Sequence, residues 1–96
     1  MPSAYLIADV DVHDPVAYED YRKLSTLAMQ AHGAEVCIRG GQVEVLEGDW
    51  QPKRVVMLKF PSMEAARRFH DSPEYRKARA VREPVSTMRM IIVAGV

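Results

Sequence analysis

The sequence predicts an α+β fold, a ferredoxin-like β-α-β-β-α-β sandwich in one domain over residues 1–96. Three observations carry that expectation. Apolar residues alternate with a period of two near the start, then recur at three- and four-residue steps, then alternate again. Cap-plus-proline pairs mark two helix starts. Two short runs, 54–60 and 88–93, are nearly continuously apolar, as in strands covered on both faces.

Ala4 to Val10 reads as the first strand, with Tyr5, Ile7 and Asp9 on one face and Ala4, Leu6, Ala8 and Val10 on the other. Asp14-Pro15 then supplies an N-cap and a first helical residue whose missing N–H costs nothing. The helix runs to about His32, with Ala17, Tyr21, Leu24, Ala28 and Ala31 as its inner stripe, a Glu19–Lys23 pair on its surface and Gly33 as its stop. Glu35–Arg39 and Gln42–Glu47 are strand-like, and Gly40-Gly41 between them is either a hairpin turn or a bulge bending one long strand; the bent strand is preferred. Residues 48–52 form a loop carrying Trp50. Arg54–Phe60 is the next strand. Ser62 caps a short helix that buries Ala65, Ala66 and Phe69, Ser72-Pro73 opens a further turn or two, and Pro84 ends it before the last strand.

A four-stranded sheet with helices on one side normally shows a polar outer face. Val55 to Leu58 and Met90 to Val93 leave neither face polar, which predicts a homodimer formed through the sheet faces. The charge distribution agrees. Net charge is zero, but residues 1–50 carry three basic and nine acidic side chains and residues 51–96 ten basic and four acidic. The halves suit pairing within a fold or across a dimer, or an anion-attracting patch built from Arg67, Arg68, Arg76, Lys77, Arg79 and Arg82.

Several function classes are disfavoured. Neutral net charge and the lack of stacking aromatics on the central strand argue against nucleic-acid binding. The longest apolar run, near Met90–Ala94, is far too short for a membrane span. A single cysteine, Cys37, allows no internal disulfide, and its strand neighbours predict a buried, inert thiol. The opening Met1–Ala4 shows no basic-then-apolar leader, so a cytoplasmic protein is expected. Asp9, Asp11 and His13 would share a strand face, yet no fourth ligand stands at a recognisable spacing, and no metal or other cofactor is expected. No Gly-x-Ser-x-Gly elbow or phosphate loop occurs.

Arg39-Gly40-Gly41, Val45 to Trp50, Phe60-Pro61-Ser62 and Ser72-Pro73-Glu74-Tyr75, with Tyr5, Asp9, Asp14, Tyr18 and Tyr21, resemble small bacterial proteins of the domain-of-unknown-function family 1330. The resemblance spans almost the whole chain. It implies a dimeric α+β barrel and no established activity; the wider superfamily includes cofactor-free monooxygenases, haem-degrading enzymes, lactone isomerases and ligand-binding modules. Lys59 stands where that pattern has an acidic residue.

The remaining chemistry is a candidate ligand pocket. Tyr18, Tyr21, Trp50 and Tyr75 would border the apolar body of a flat molecule, and Arg39, Arg54, Arg79 and Arg82 would meet its anionic end, with Asp9 nearby. The competing reading makes the tyrosines core, Trp50 a loop cover, and the arginines partners of Asp9, Asp11 or Glu47. The expected function is a homodimeric binding protein for a small apolar or aromatic acid. The alternative is a cofactor-free monooxygenase or isomerase acting on an aromatic or lactone substrate, weakened because the chain has no asparagine.

Overall fold

The computed structural model describes residues 2–96. The order is β1 (Ala4–Val12), α1 (Pro15–Ala31), β2 (Glu35–Arg39), β3 (Arg54–Phe60), α2 (Met63–Asp71), α3 (Pro73–Arg82), a 3-10 turn (Glu83–Val85) and β4 (Ser86–Ala94). The four strands make one antiparallel sheet in the order β2-β3-β1-β4. All three helices pack on one face of it, and the molecule is a plate of 34 × 33 × 16 Å.

The predicted caps form. Asp14 Oδ1 accepts the Ala17 N–H at 3.1 Å, and Ser62 Oγ accepts that of Ala65 at 3.1 Å. Ser72 serves two helices: its hydroxyl donates to the Phe69 carbonyl at the end of α2 (2.6 Å) and accepts the Tyr75 N–H at the start of α3 (3.2 Å). Helix α1 closes at Gly33, whose φ of 65° lets the Ala34 N–H reach back to the Met29 carbonyl at 3.0 Å.

The alternation in β1 is as expected. Ala4, Leu6, Ala8 and Val10 are buried under the helices, facing Leu58, Phe60, Met90 and Ile92 from the neighbouring strands. The stripe of α1 differs from the predicted one. Tyr18, Tyr21, Ser25, Ala28 and Met29 are buried, because the helix is turned so that its tyrosines, rather than Ala17 and Ala31, fill the space above the sheet. Glu19 pairs with Arg22 at 2.9 Å, not with Lys23.

Two further expectations are corrected. The chain does not continue as a strand after Gly40-Gly41. β2 ends at Arg39, Gly40 turns away with φ of 74°, and residues 42–47 lie in no strand because no neighbouring strand of this chain is there to pair with them. A bulge does exist, but it falls between Val36 and Ile38, where the register against β3 shifts. Cys37 sits at that bulge on a sheet edge and is exposed, not buried.

Candidate functional site

The site is built between α1, α3 and the inner face of the sheet. Tyr18 and Tyr21 descend from α1 and Tyr75 from α3. The Tyr18 and Tyr21 rings lie 5.1 Å apart, and the Tyr21 and Tyr75 hydroxyls share a buried hydrogen bond of 2.9 Å. Phe69 closes the group with its ring centroid 4.8 Å from that of Tyr75. These side chains enclose a cavity of about 20 Å³, room for a single water, completed by Met29, Met88, Met90 and the aliphatic floor of β1 and β3.

Arg39 and Arg54 reach this cavity from β2 and β3. Arg39 Nη2 is held by the Thr26 hydroxyl (2.8 Å) and the Arg22 carbonyl (3.3 Å), so it ties β2 to α1. The Arg54 guanidinium lies against Gly40, where a side chain would collide with Nη1. Arg79 and Arg82 lie beside the tyrosines rather than in the cavity. Their guanidinium carbons are 5.7 Å from the Tyr75 ring centre and 6.0 Å from that of Tyr21. Both line an adjoining open cleft of about 270 Å³ with His70, over the same Met88 and Met90. The two methionines therefore line both the cavity and the cleft.

Asp9 and Trp50 are placed elsewhere. Asp9 points to the opposite face of the sheet, where Oδ2 accepts the Trp50 indole N–H at 3.4 Å and Oδ1 the Lys53 N–H at 3.2 Å. Trp50 is exposed and covers no part of the tyrosine cavity.

The electrostatics are one-sided. Among the described residues, no Asp or Glu lines the cavity or the cleft, and Arg39, Arg54, Arg79 and Arg82 form no ion pair; only Arg89 approaches Asp9, at 3.8 Å. The Nε atoms of Arg22, Arg54, Arg79 and Arg82 are shielded and make no hydrogen bond within the chain. Burial pushes the Tyr21 hydroxyl far above its ordinary value, with Tyr75 adding to the rise. Burial also raises Tyr18, against a downward pull from Arg54. The Tyr18 and Tyr21 hydroxyls therefore stay protonated near neutral pH, and the cavity they line carries no carboxylate.

The sequence also matches a known family over nearly its full length: the model for a domain of unknown function, DUF1330, fits residues 3–96. The chain belongs to the DUF1330 family. A protein of unknown function from Rhodopseudomonas palustris has a similar structure, at 21% identity and a TM-score of 0.76, the match covering 99% of this chain and 83% of that one. SnoaB, a cofactor-independent oxygenase from Streptomyces nogalater, matches at 13% identity and a TM-score of 0.69, over 100% of this chain and 95% of its own. A dimeric protein of unknown function with a ferredoxin-like fold from Bacteroides fragilis matches at 9% identity and a TM-score of 0.65, over 96% and 95%. At these identities the shared property is the ferredoxin-like fold. No curated protein matches the sequence.

His70, Met88 and Met90 were not among the residues singled out from sequence. The methionines read as ordinary strand core, and His70, nine positions before Arg79, carries no periodic signal linking the two.

Proposed function

We propose that this DUF1330 protein is a homodimeric binding protein for a small apolar or aromatic carboxylic acid, held between helices and sheet. The observation that carries the reading is the set of guanidinium groups without carboxylate partners around three buried tyrosines. Partly buried guanidinium groups are ordinarily paired with an acceptor, and a planar anion supplies the carboxylate that this chain does not. An apolar body larger than the cavity would enter by displacing Met88 and Met90, whose unbranched side chains are adaptable.

The homodimer half of the reading rests on the uncovered sheet face. Ile7, Met57 and Ile91 lie side by side on it in register, with Tyr5 and Val93 beyond them, and Ile91 is 59% exposed. The chain alone exposes 6324 Å², against about 5,500 Å² expected for a compact monomer of its mass. A second copy laid face to face on this sheet covers the excess, and the exposed Val43, Val45 and Leu46 of the long connection add to what it covers. The dimeric Bacteroides fragilis protein is a precedent of the same fold.

The alternative, a cofactor-free monooxygenase or isomerase, has the fold shared with SnoaB in its favour. The lack of any carboxylate among the residues lining the tyrosine cavity favours binding. The test is calorimetric titration with 2-naphthoate and its neutral counterpart 2-naphthylmethanol. Preferential binding of the acid, lost in Arg54→Gln, supports the reading; equal affinity for both compounds overturns it.

A further inference from the structure

The cleft beside the tyrosines combines two arginines of the ligand reading above with a histidine that it does not use. Arg79 and Arg82 stand one turn apart on the inner side of α3, and His70 faces them from α2. Arg79 Nη2 donates to the His70 carbonyl at 2.8 Å and lies 3.0 and 3.1 Å from the two ring nitrogens, against the imidazole rather than at one edge of it. The Tyr75 ring backs the imidazole at 5.7 Å. The floor is Met88 and Met90, and β4 brings no ionisable group to the cleft. Arg79 and Arg82 both border a space of about 270 Å³ that is open to solvent, and among the described residues neither has a carboxylate partner.

We propose that this cleft is an oxyanion seat that receives a carboxylate, and that His70 makes its affinity depend on pH. The inference deepens the ligand reading, and rests on it only for the apolar body that passes between Met88 and Met90. The seat itself follows from the cluster. Two guanidinium groups lie near the end of one helix, that of Arg79 anchored to the His70 carbonyl, and offer the kind of donors that a planar carboxylate accepts, and the methionine floor lowers competition from water. The groups that face His70 are Arg79 and Arg82 from α3 and Asp71 on its own helix, whose Oδ1 is 3.8 Å from Nδ1; Arg67 lines the neighbouring groove. Burial, followed by Arg79, holds the imidazole below its ordinary titration range, with Asp71 opposing. An anion in the cleft offsets the guanidinium charge and favours the imidazolium. By linkage, the anion then binds more tightly as the pH falls and His70 takes up its proton.

The experiment uses acetate, 2-naphthoate and 2-naphthylmethanol as probes on the whole protein. It follows the His70 imidazole resonances by NMR, assigned by their loss in His70→Gln. Acetate moves the His70 resonances and raises their titration midpoint. Its affinity increases roughly threefold or more between about pH 8 and about pH 5.5, and His70→Gln removes that increase. Arg79→Gln and Arg82→Gln each weaken 2-naphthoate about tenfold without weakening 2-naphthylmethanol. His70 resonances indifferent to acetate, or both arginine variants binding 2-naphthoate as the unaltered protein does, overturn the seat. The two readings fail separately. If 2-naphthoate binds and only Arg54→Gln weakens it, the cavity stands and the seat falls. If acetate perturbs His70 and 2-naphthoate binds no more tightly than acetate, the seat stands and the cavity falls.

Discussion

The hydroxyls of Tyr21 and Tyr75, 54 residues apart in sequence, meet at 2.9 Å inside the helix layer and join α1 to α3. Each satisfies the other's only buried polar atom, so neither can be removed alone without cost. Tyr21→Phe and Tyr75→Phe are each expected to destabilise the protein by about 1 kcal/mol, and the double variant by less than the sum. Equilibrium urea unfolding of the four proteins completes the cycle; strict additivity contradicts the bond.

Ser72→Ala removes both an acceptor for α3 and a donor to α2. The expected loss is about 2 kcal/mol, larger than the ~1 kcal/mol expected of Asp14→Ala, which removes one exposed cap bond. The same denaturation measurement ranks the two, and equal losses count against the double role.

The two faces of β4 separate folding from assembly. Ile92 packs against the core, whereas Ile91 lies on the uncovered face. Ile92→Lys is expected to unfold the domain by burying an unpaired cation, and Ile91→Lys to leave a folded chain that no longer pairs. Circular dichroism reads the first and sedimentation velocity the second. A folded monomer at micromolar concentration for the unaltered protein removes the dimer.

Stability is expected to fall with acid through His70. Its folded-state pKa lies below the unfolded value of about 6.5. Between the two the unfolded chain binds more protons, so stability is full above about pH 6.5 and declines as the pH drops through that window. His70→Gln flattens this part of the pH profile. A decline that persists unchanged in that variant assigns it to another group.

The elements that sequence makes legible are those with a local physical cause. Asp14, Ser62 and Ser72 are read as caps because capping needs only the next three residues, and the alternation of β1 needs only one buried face. Residues 42–47 mislead for the opposite reason: their strand propensity says nothing about whether a partner strand is within reach. Cys37 is exposed because β2 is an edge strand whose residues 35–38 are all exposed, a position in the sheet that composition does not reveal. In the site, the three tyrosines and Arg54 share one cavity, while Trp50 and Asp9 sit across the sheet. The alternation of β1 already sets Asp9 apart from Ala8 and Val10, so that separation is readable from sequence. The pairing of His70 with Arg79 depends on how two helices meet at Ser72, and no spacing rule announces it.

The shared cap at Ser72 also bears on how this chain tolerates changes in length. One hydroxyl terminates α2 and starts α3, so an inserted residue there would force a choice between the two helices and pull His70 away from Arg79. The turn at Gly48-Asp49 has no such constraint: it lies on the surface, after Val43, Val45 and Leu46 and before the residues that Asp9 fastens. Insertions and grafted tags belong at that turn, and the α2–α3 corner should keep a constant length wherever this architecture is reused.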